Sequence, residues 1–230
     1  MGCTVRVVVS MPMFPLGSVL LPGAVLPLHV FEPRYRALVL DCLAAEEHEF
    51  GVTLIERGWE VGGGDTRHDV GTVARMIQVA ELTDGRYAVV CIGTRRVRVR
   101  QWLPESPYPS ADLEDWPDED PDVAEIDPVA FRSRLCATTA RVRRAAALAT
   151  ELGDSCTDAS AEISDDALLA TYHLAALAPV GPADTYRLLC ASGPVARLDL
   201  LDELLDDVEA VLQFRLASSD DEIGPADPAA

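Results

Sequence analysis

The sequence predicts an α+β chain in which a strand-rich first lobe carrying one helix precedes a lobe of packed helices. Three observations predict it. Up to about residue 113, short branched or alternating apolar runs lie between Pro-Gly, Asp-Gly and glycine-rich turns, the pattern of strands and hairpins. Residues 114–127 are acidic, lack arginine and are broken by Pro117 and Pro121, as expected of a segment separating two lobes. Beyond them the apolar spacing changes to three and four residues, which marks helices lying on a core.

Residues 4–15 read as a strand that Pro12 and Pro15 confine to an edge or bulge. Pro22-Gly23 makes a turn, and residues 24–30 return as a second strand. Glu32-Pro33 opens a helix, because proline needs no partner N–H at the first helical position and a carboxylate suits that end of the dipole. Its core face is Leu38, Val39, Cys42 and Leu43. Residues 49–56 form the next strand, and Gly62, Gly63 and Gly64 a flexible loop without the spacing of a phosphate cradle. Residues 70–82 and 86–103 are two long strands joined at Asp84-Gly85, with a bend or bulge at Gly93.

In the second lobe, residues 129–152 form a helix, Ser164 caps another over 165–177, and Gly181-Pro182 and Gly193-Pro194 open two more. The last carries Leu198, Leu201, Leu204, Leu205, Val208, Val211 and Leu212 along one stripe. Asp199, Asp202, Glu203, Asp206, Asp207 and Glu209 fill its opposite, solvated face. The predicted units are a β-rich lobe over 1–113, an acidic linker over 114–127, a helical lobe over 128–217 and a disordered acidic tail over 218–230.

Composition excludes several functions. All 19 basic residues are arginine, so the chain offers no Walker A lysine, no Schiff-base amine and no Ser-Lys dyad. A net charge of -19 opposes nucleic acid and anionic membranes as partners. The longest apolar tract, residues 19–30, is interrupted by Pro22, Gly23 and Pro27 and is too irregular to span a bilayer. With no secretory signal pattern, the expected location is cytoplasmic. The cysteines at 3, 42, 91, 136, 156 and 190 form no Cys-x-x-Cys pair, and His29, His48, His68 and His173 have no ligand spacing. No metal or cofactor is therefore implied. Serines such as Ser18 and Ser110 lack a nucleophile turn. The run Asp118-Glu119-Asp120-Pro121-Asp122 lacks the glycine and final glutamate of a calcium loop and reads as solvated linker.

The most specific stretch is the opening block: Phe14-Pro15-Leu16, an apolar run to Pro22-Gly23, then Leu26-Pro27-Leu28-His29 and Phe31-Glu32-Pro33-Arg34-Tyr35-Arg36. Further marks are Phe50-Gly51-Val52, Asp84-Gly85-Arg86-Tyr87, Gly93 with residues 96–99, and Tyr108-Pro109-Ser110-Ala111. In this order they resemble the Lon substrate-binding domain family, with a weaker likeness through the C-terminal helices. The family has an aromatic residue where Val97 stands here. The resemblance implies a PUA-like pseudobarrel followed by a helical bundle lobe. It also implies a non-catalytic module that recognises exposed or unfolded polypeptide. The chain has no room for the ATPase and peptidase modules of full-length Lon proteases and is expected to be the substrate-binding part standing alone.

The residues expected to contact peptide are Leu20, Leu21, Val25, Leu28, Phe31, Arg34, Tyr35 and Arg96. The apolar members are too many for one strand face, so they lie either at a surface or lobe junction or wholly in the core. Arg34 and Arg36 can clamp a peptide carbonyl or tie Glu32 or the acidic segment to the lobe. Arg96, Arg98 and Arg100 share one strand face, opposite Val97 and Val99, and are expected to pair with the chain's own carboxylates. The expected partners are polypeptide segments and a protease that receives them, in an adaptor or chaperone-like role. The alternative is a small-molecule or modified-base pocket on the barrel near Arg34, Tyr35 and Arg96.

Overall fold

A computed structural model describes residues 8–58, 66–119, 127–154 and 158–222. The first lobe contains β1 (Val8–Leu16), β2 (Val25–Val30), α1 (Pro33–Ala44), β3 (Glu49–Arg57), β4 (Thr66–Glu81), β5 (Tyr87–Leu103) and β6 (Ser110–Asp115). The sheet order is β2-β5-β4-β3-β1-β6, and β6 also pairs with β5. That last pairing closes a ring of β1, β3, β4, β5 and β6, leaving β2 on the outside. The ring closes because β5 is long: Tyr87 to Ile92 pairs with β2 and Val97 to Leu103 with β6, while β4 runs along its other side. Register slips beside Thr94, Ile77 and Arg100 turn the strands around the ring.

β1 is not an edge strand, contrary to what its prolines suggested. Its first half pairs with β6 and its second half, in parallel, with β3. Each half therefore has one ladder partner, and Pro12 and Pro15 are accommodated without leaving the sheet. β6 was not assigned from sequence, and it extends the ring through Glu114 and Asp115, at the start of the acidic segment. Glu114 is buried and paired with Arg100. The alternation in β5 holds: Val97 and Val99 enter the barrel core with Met13, Val73, Ala111 and Leu113. Helix α1 begins at Pro33 and buries Tyr35, Leu38, Val39 and Cys42, and Tyr35 stacks on Phe14 with ring centroids 4.1 Å apart.

The second lobe comprises α2 (Pro128–Glu151), α3 (Ala167–Leu177), α4 (Pro182–Cys190) and α5 (Pro194–Glu222). The cap of α3 is Asp166, whose carboxylate accepts from the Leu169 N–H, while Ser164 Oγ accepts from the Asp166 N–H one step earlier. The acidic face of α5 is not simply solvated. Arg134 of α2 bonds Asp199 and Asp202, and Arg141 bonds Asp206 and Glu209, so α2 and α5 run side by side along an ionic ladder. The helix continues past residue 217, where a disordered tail was expected; residues 223–230 and the glycine run at 62–64 lie outside the described residues. No helix of the described residues is long and apolar enough to cross a membrane.

Asp118 joins the lobes, correcting its assignment to solvated linker. Its carboxylate accepts from Arg197 Nη2 at 2.9 and 3.0 Å and from the Tyr172 hydroxyl at 2.8 Å, and it pairs with Arg96 Nη2 at 2.8 Å. Arg96 also donates to the carbonyls of Trp116, Leu189 and Ala191, and Arg197 to those of Leu188 and to Thr171 Oγ1. Burial pulls the Arg197 guanidinium below its usual range, with Tyr172 and Asp118 opposing the shift. A single apolar cluster accordingly contains Leu21 and Val70 of the first lobe with Ala146, Leu174, Leu189 and Leu201 of the second.

Replacing Asp118 by Ala leaves two buried guanidinium groups facing each other, and a loss of about 3–5 kcal/mol is expected in urea unfolding. Asp199→Ala, at the exposed end of the α2–α5 ladder, should change stability by no more than about 1 kcal/mol. Equal effects of the two substitutions would remove the special role of Asp118. At Gly93 an added Cβ would run into the Leu21 carbonyl oxygen, so Gly93→Ala should lower stability by about 1–3 kcal/mol, read as a fall in melting temperature.

Candidate functional site

The loop from β1 to β2 lies at the junction of the two lobes. Pro22 and Gly23 occupy the centre of a tight turn closed by the Ala24 N–H on the Leu21 carbonyl at 3.0 Å, with Gly23 at φ +80°, a conformation that favours glycine. The barrel holds this turn by its backbone. Gly23 N–H donates to the Gly93 carbonyl, Gly93 N–H to the Ala24 carbonyl, and Thr72 Oγ1 to the Leu20 carbonyl. The opening block is thus fixed to β4 and β5 before any of its side chains is considered.

Its apolar side chains divide between three places. Leu20 and Leu21, at 4% and 1% exposed, face inward, and with Val19 they line an open cleft of about 630 Å³. The opposite wall comes from the second lobe: Ile163, Ala176 and Leu177, then Val180. Ser18, Glu162, Thr185 and His173 supply polar groups around it. Val25, at 62% exposed, stands at the mouth of the cleft where β2 begins. At the far end of β2, a recess of about 170 Å³ is lined by Phe14, Leu16, Leu28, Val30 and Tyr35, with Phe31 beside it at 55% exposed. Between the recesses β2 presents Pro27 and His29 to solvent.

Of the residues expected to contact peptide, Val25 and Phe31 are therefore exposed and Leu28 is half-buried in the small recess. Tyr35 forms that recess from beneath. Arg34 lies over the Tyr35 ring at 4.5 Å and donates to Glu32 at 3.1 Å, which ties the start of α1 together. Arg96 belongs to neither recess: at 3% exposed it is held in the contact with Asp118. Arg36 packs over the hairpin turn at Gly85, with its Nε atom buried and without a hydrogen bond.

The electrostatics of the site follow from how the arginines are used. Arg75 and Arg95 both bond Glu49, a carboxylate buried inside the lobe, and neither recess is lined by an arginine. Glu162 and Glu32 are the carboxylates that line them. The other reactive side chains lie elsewhere. Burial pushes the thiols of Cys42 and Cys91 up to about 12, which suppresses thiolate chemistry. His48 Nδ1 meets the Cys42 carbonyl at 3.1 Å, His68 stacks on Tyr186, and His173 Nδ1 accepts from the Ser164 N–H at 3.2 Å. Among the described residues no group of three or more His, Cys, Asp or Glu side chains is placed to hold a metal ion.

The wall contributed by Ile163, Val180 and His173 was not recognised from sequence. Those residues are far from the opening block in the chain, and no local pattern links them to it. The one sequence signal was Gly23, where a Cβ would strike the His173 ring.

The geometry matches that of known proteins. Residues 10–207 match the family model described as the ATP-dependent protease La (LON) substrate-binding domain. The Lon protease of Flavobacterium johnsoniae is 32% identical over 115 residues, which cover 50% of this chain and 14% of that protein. Lon protease 2 of Sorangium cellulosum is 38% identical over 112 residues, covering 47% of this chain and again 14% of the relative. Among solved structures, the Lon N-terminal domain protein from Xanthomonas campestris superposes with a TM-score of 0.60 at 29% identity, over 84% of this chain and 96% of that one. The N-terminal domain of a Mycobacterium avium complex Lon protease shares the fold, with a TM-score of 0.55 at 19% identity over 86% of this chain and 98% of that one. A closed strand ring with β2 outside it, a junctional Pro-Gly turn and a covering helical lobe are thus the form taken here by a known domain, and the chain belongs to the LON substrate-binding domain family.

Proposed function

We propose that this chain is a non-catalytic module that takes exposed or unfolded polypeptide on the surface formed by β2 and its two flanking recesses. It would present these segments to a protease or hold them as an adaptor. The observation that carries this reading is the placement of two exposed apolar side chains, Val25 and Phe31, at either end of β2 and beside open apolar recesses. Such a surface recognises apolar character without requiring one sequence. Family membership supports a substrate-binding role. The charge distribution adds a preference: at a net charge of -19, with no arginine lining either recess, apolar segments flanked by basic residues are favoured over acidic ones. A small-ligand pocket near Arg34, Tyr35 and Arg96 has less support, because Arg96 is committed to the lobe junction and converges with neither of the others.

The test is the affinity for reduced, carboxymethylated casein, measured by fluorescence anisotropy on the intact chain and on a Val25→Asp, Phe31→Asp double variant. Both positions are exposed, so the variant should keep its circular dichroism spectrum and melting temperature. Burial of each side chain against a client is worth about 1.5–3 kcal/mol, so binding should weaken at least about tenfold. Equal affinity of both proteins, or binding by neither, would overturn the assignment.

A further inference from the structure

The interlobe cleft contains a hydrogen-bond donor whose direction and protonation are set by the fold. Ser164 presents a backbone N–H to His173 Nδ1 at 3.2 Å. A backbone N–H can only donate, so Nδ1 carries the lone pair and the neutral ring carries its hydrogen on Nε2. Nε2 faces Gly23, where any Cβ would collide with it, and it meets no acceptor among the described residues. The surrounding walls are apolar: Leu20, Leu21, Leu177 and Val180. A lone donor in an apolar cleft calls for an apolar group bearing one uncharged acceptor.

We propose that the cleft is a subsite for an apolar side chain of an extended polypeptide, and that His173 sets its specificity by donating Nε2–H to a backbone carbonyl of that segment. This rests on the polypeptide-binding reading above and assigns the contact that reads the main chain. A carboxylate or phosphate ligand is disfavoured, because no arginine lines the cleft and Glu162 does. A second copy is disfavoured by repulsion between chains of net charge -19. A peptide carbonyl is neutral, recurs at every residue and lies beside its own side chain, which suits a single donor next to an apolar wall.

The probe is a fluorescein-labelled acetyl-Thr-Leu-Leu-Val-Thr-Arg amide, with a series in which one apolar-residue carbonyl at a time is replaced by a thioamide, a weaker acceptor. His173→Phe, which keeps the ring and removes the donor, should weaken binding about three- to tenfold. One thioamide position should weaken binding to the wild type similarly and leave the variant unaffected. In the wild type, two-bond proton–nitrogen spectra should show Nε2 protonated and its resonance shifted by the probe, a readout independent of the variant's folding. Unchanged affinity in a folded His173→Phe variant, or an unmoved Nε2 resonance on probe binding, overturns the subsite while casein binding preserves the broader reading. Failure of the wild type to bind casein overturns the broader reading, and this inference with it. Displacement of the probe by octanoate, or a dimer that the probe dissociates, also overturns the inference by giving the cleft another occupant.

Discussion

One carboxylate between two buried guanidinium groups is the constraint on which the two-lobe arrangement depends. Arg96 comes from the barrel and Arg197 from the final helix, and Asp118 receives both. Removing such charges from water costs several kcal/mol per ion, and two arginines against one aspartate leave an excess positive charge. The surplus is met by the end of α4: Arg96 donates to the carbonyls of Leu189 and Ala191, and Arg197 to that of Leu188. Carbonyls in the last turn of a helix lack intrahelical partners and carry the negative end of its dipole. The rings of Trp116 and Tyr172 cover the two guanidinium groups at 4.1 and 3.5 Å. The contact is directional and admits little sliding, unlike an apolar interface, so it sets the lobe orientation as well as holding it.

The cleft follows from that orientation. Its first wall is fixed to β4 and β5 through Thr72 and Gly93, and its second is the end of α3 and the turn beyond it. Neither lobe alone encloses the space. Gly23 and Gly93 matter for the same reason: one lets the turn lie against the His173 ring and the other lets it lie against the barrel backbone. The Pro-Gly pair that identifies the family in sequence is therefore the point where the two lobes come nearest through the opening block.

Much of the fold was legible because its signals are local. Asp84-Gly85 predicted the hairpin between β4 and β5, and Gly85 has the positive φ the turn requires. Proline and glycine marked the openings of α1, α4 and α5 within a residue of where they occur. Signals that depend on distant partners were misread. Asp118 is one acid among many in its stretch, and only the helices folding over it distinguish it from its neighbours. The carboxylates of α5 look solvated until the arginines of α2 are placed alongside. For the candidate site, exposure of Val25 and Phe31 was compatible with the sequence, whereas Leu20, Leu21 and Arg96 needed the second lobe to be placed. His173 was noted only for lacking ligand spacing, since its environment is assembled from parts of the chain more than a hundred residues apart.

Strand order also dictates a sequence of events during synthesis. The ring cannot close until β6 has been made, because β6 joins β1 to β5. Asp118 emerges only a few residues later, but Tyr172 and Arg197, two of its partners, lie far downstream. A nascent barrel leaving the ribosome therefore carries uncovered Leu21 and Val70, together with an Arg96–Asp118 pair still open to water, until the last helix arrives. During that interval the half-made molecule displays an apolar surface of the kind it is built to recognise on others, and completion of the C-terminal helix ends its own resemblance to a client.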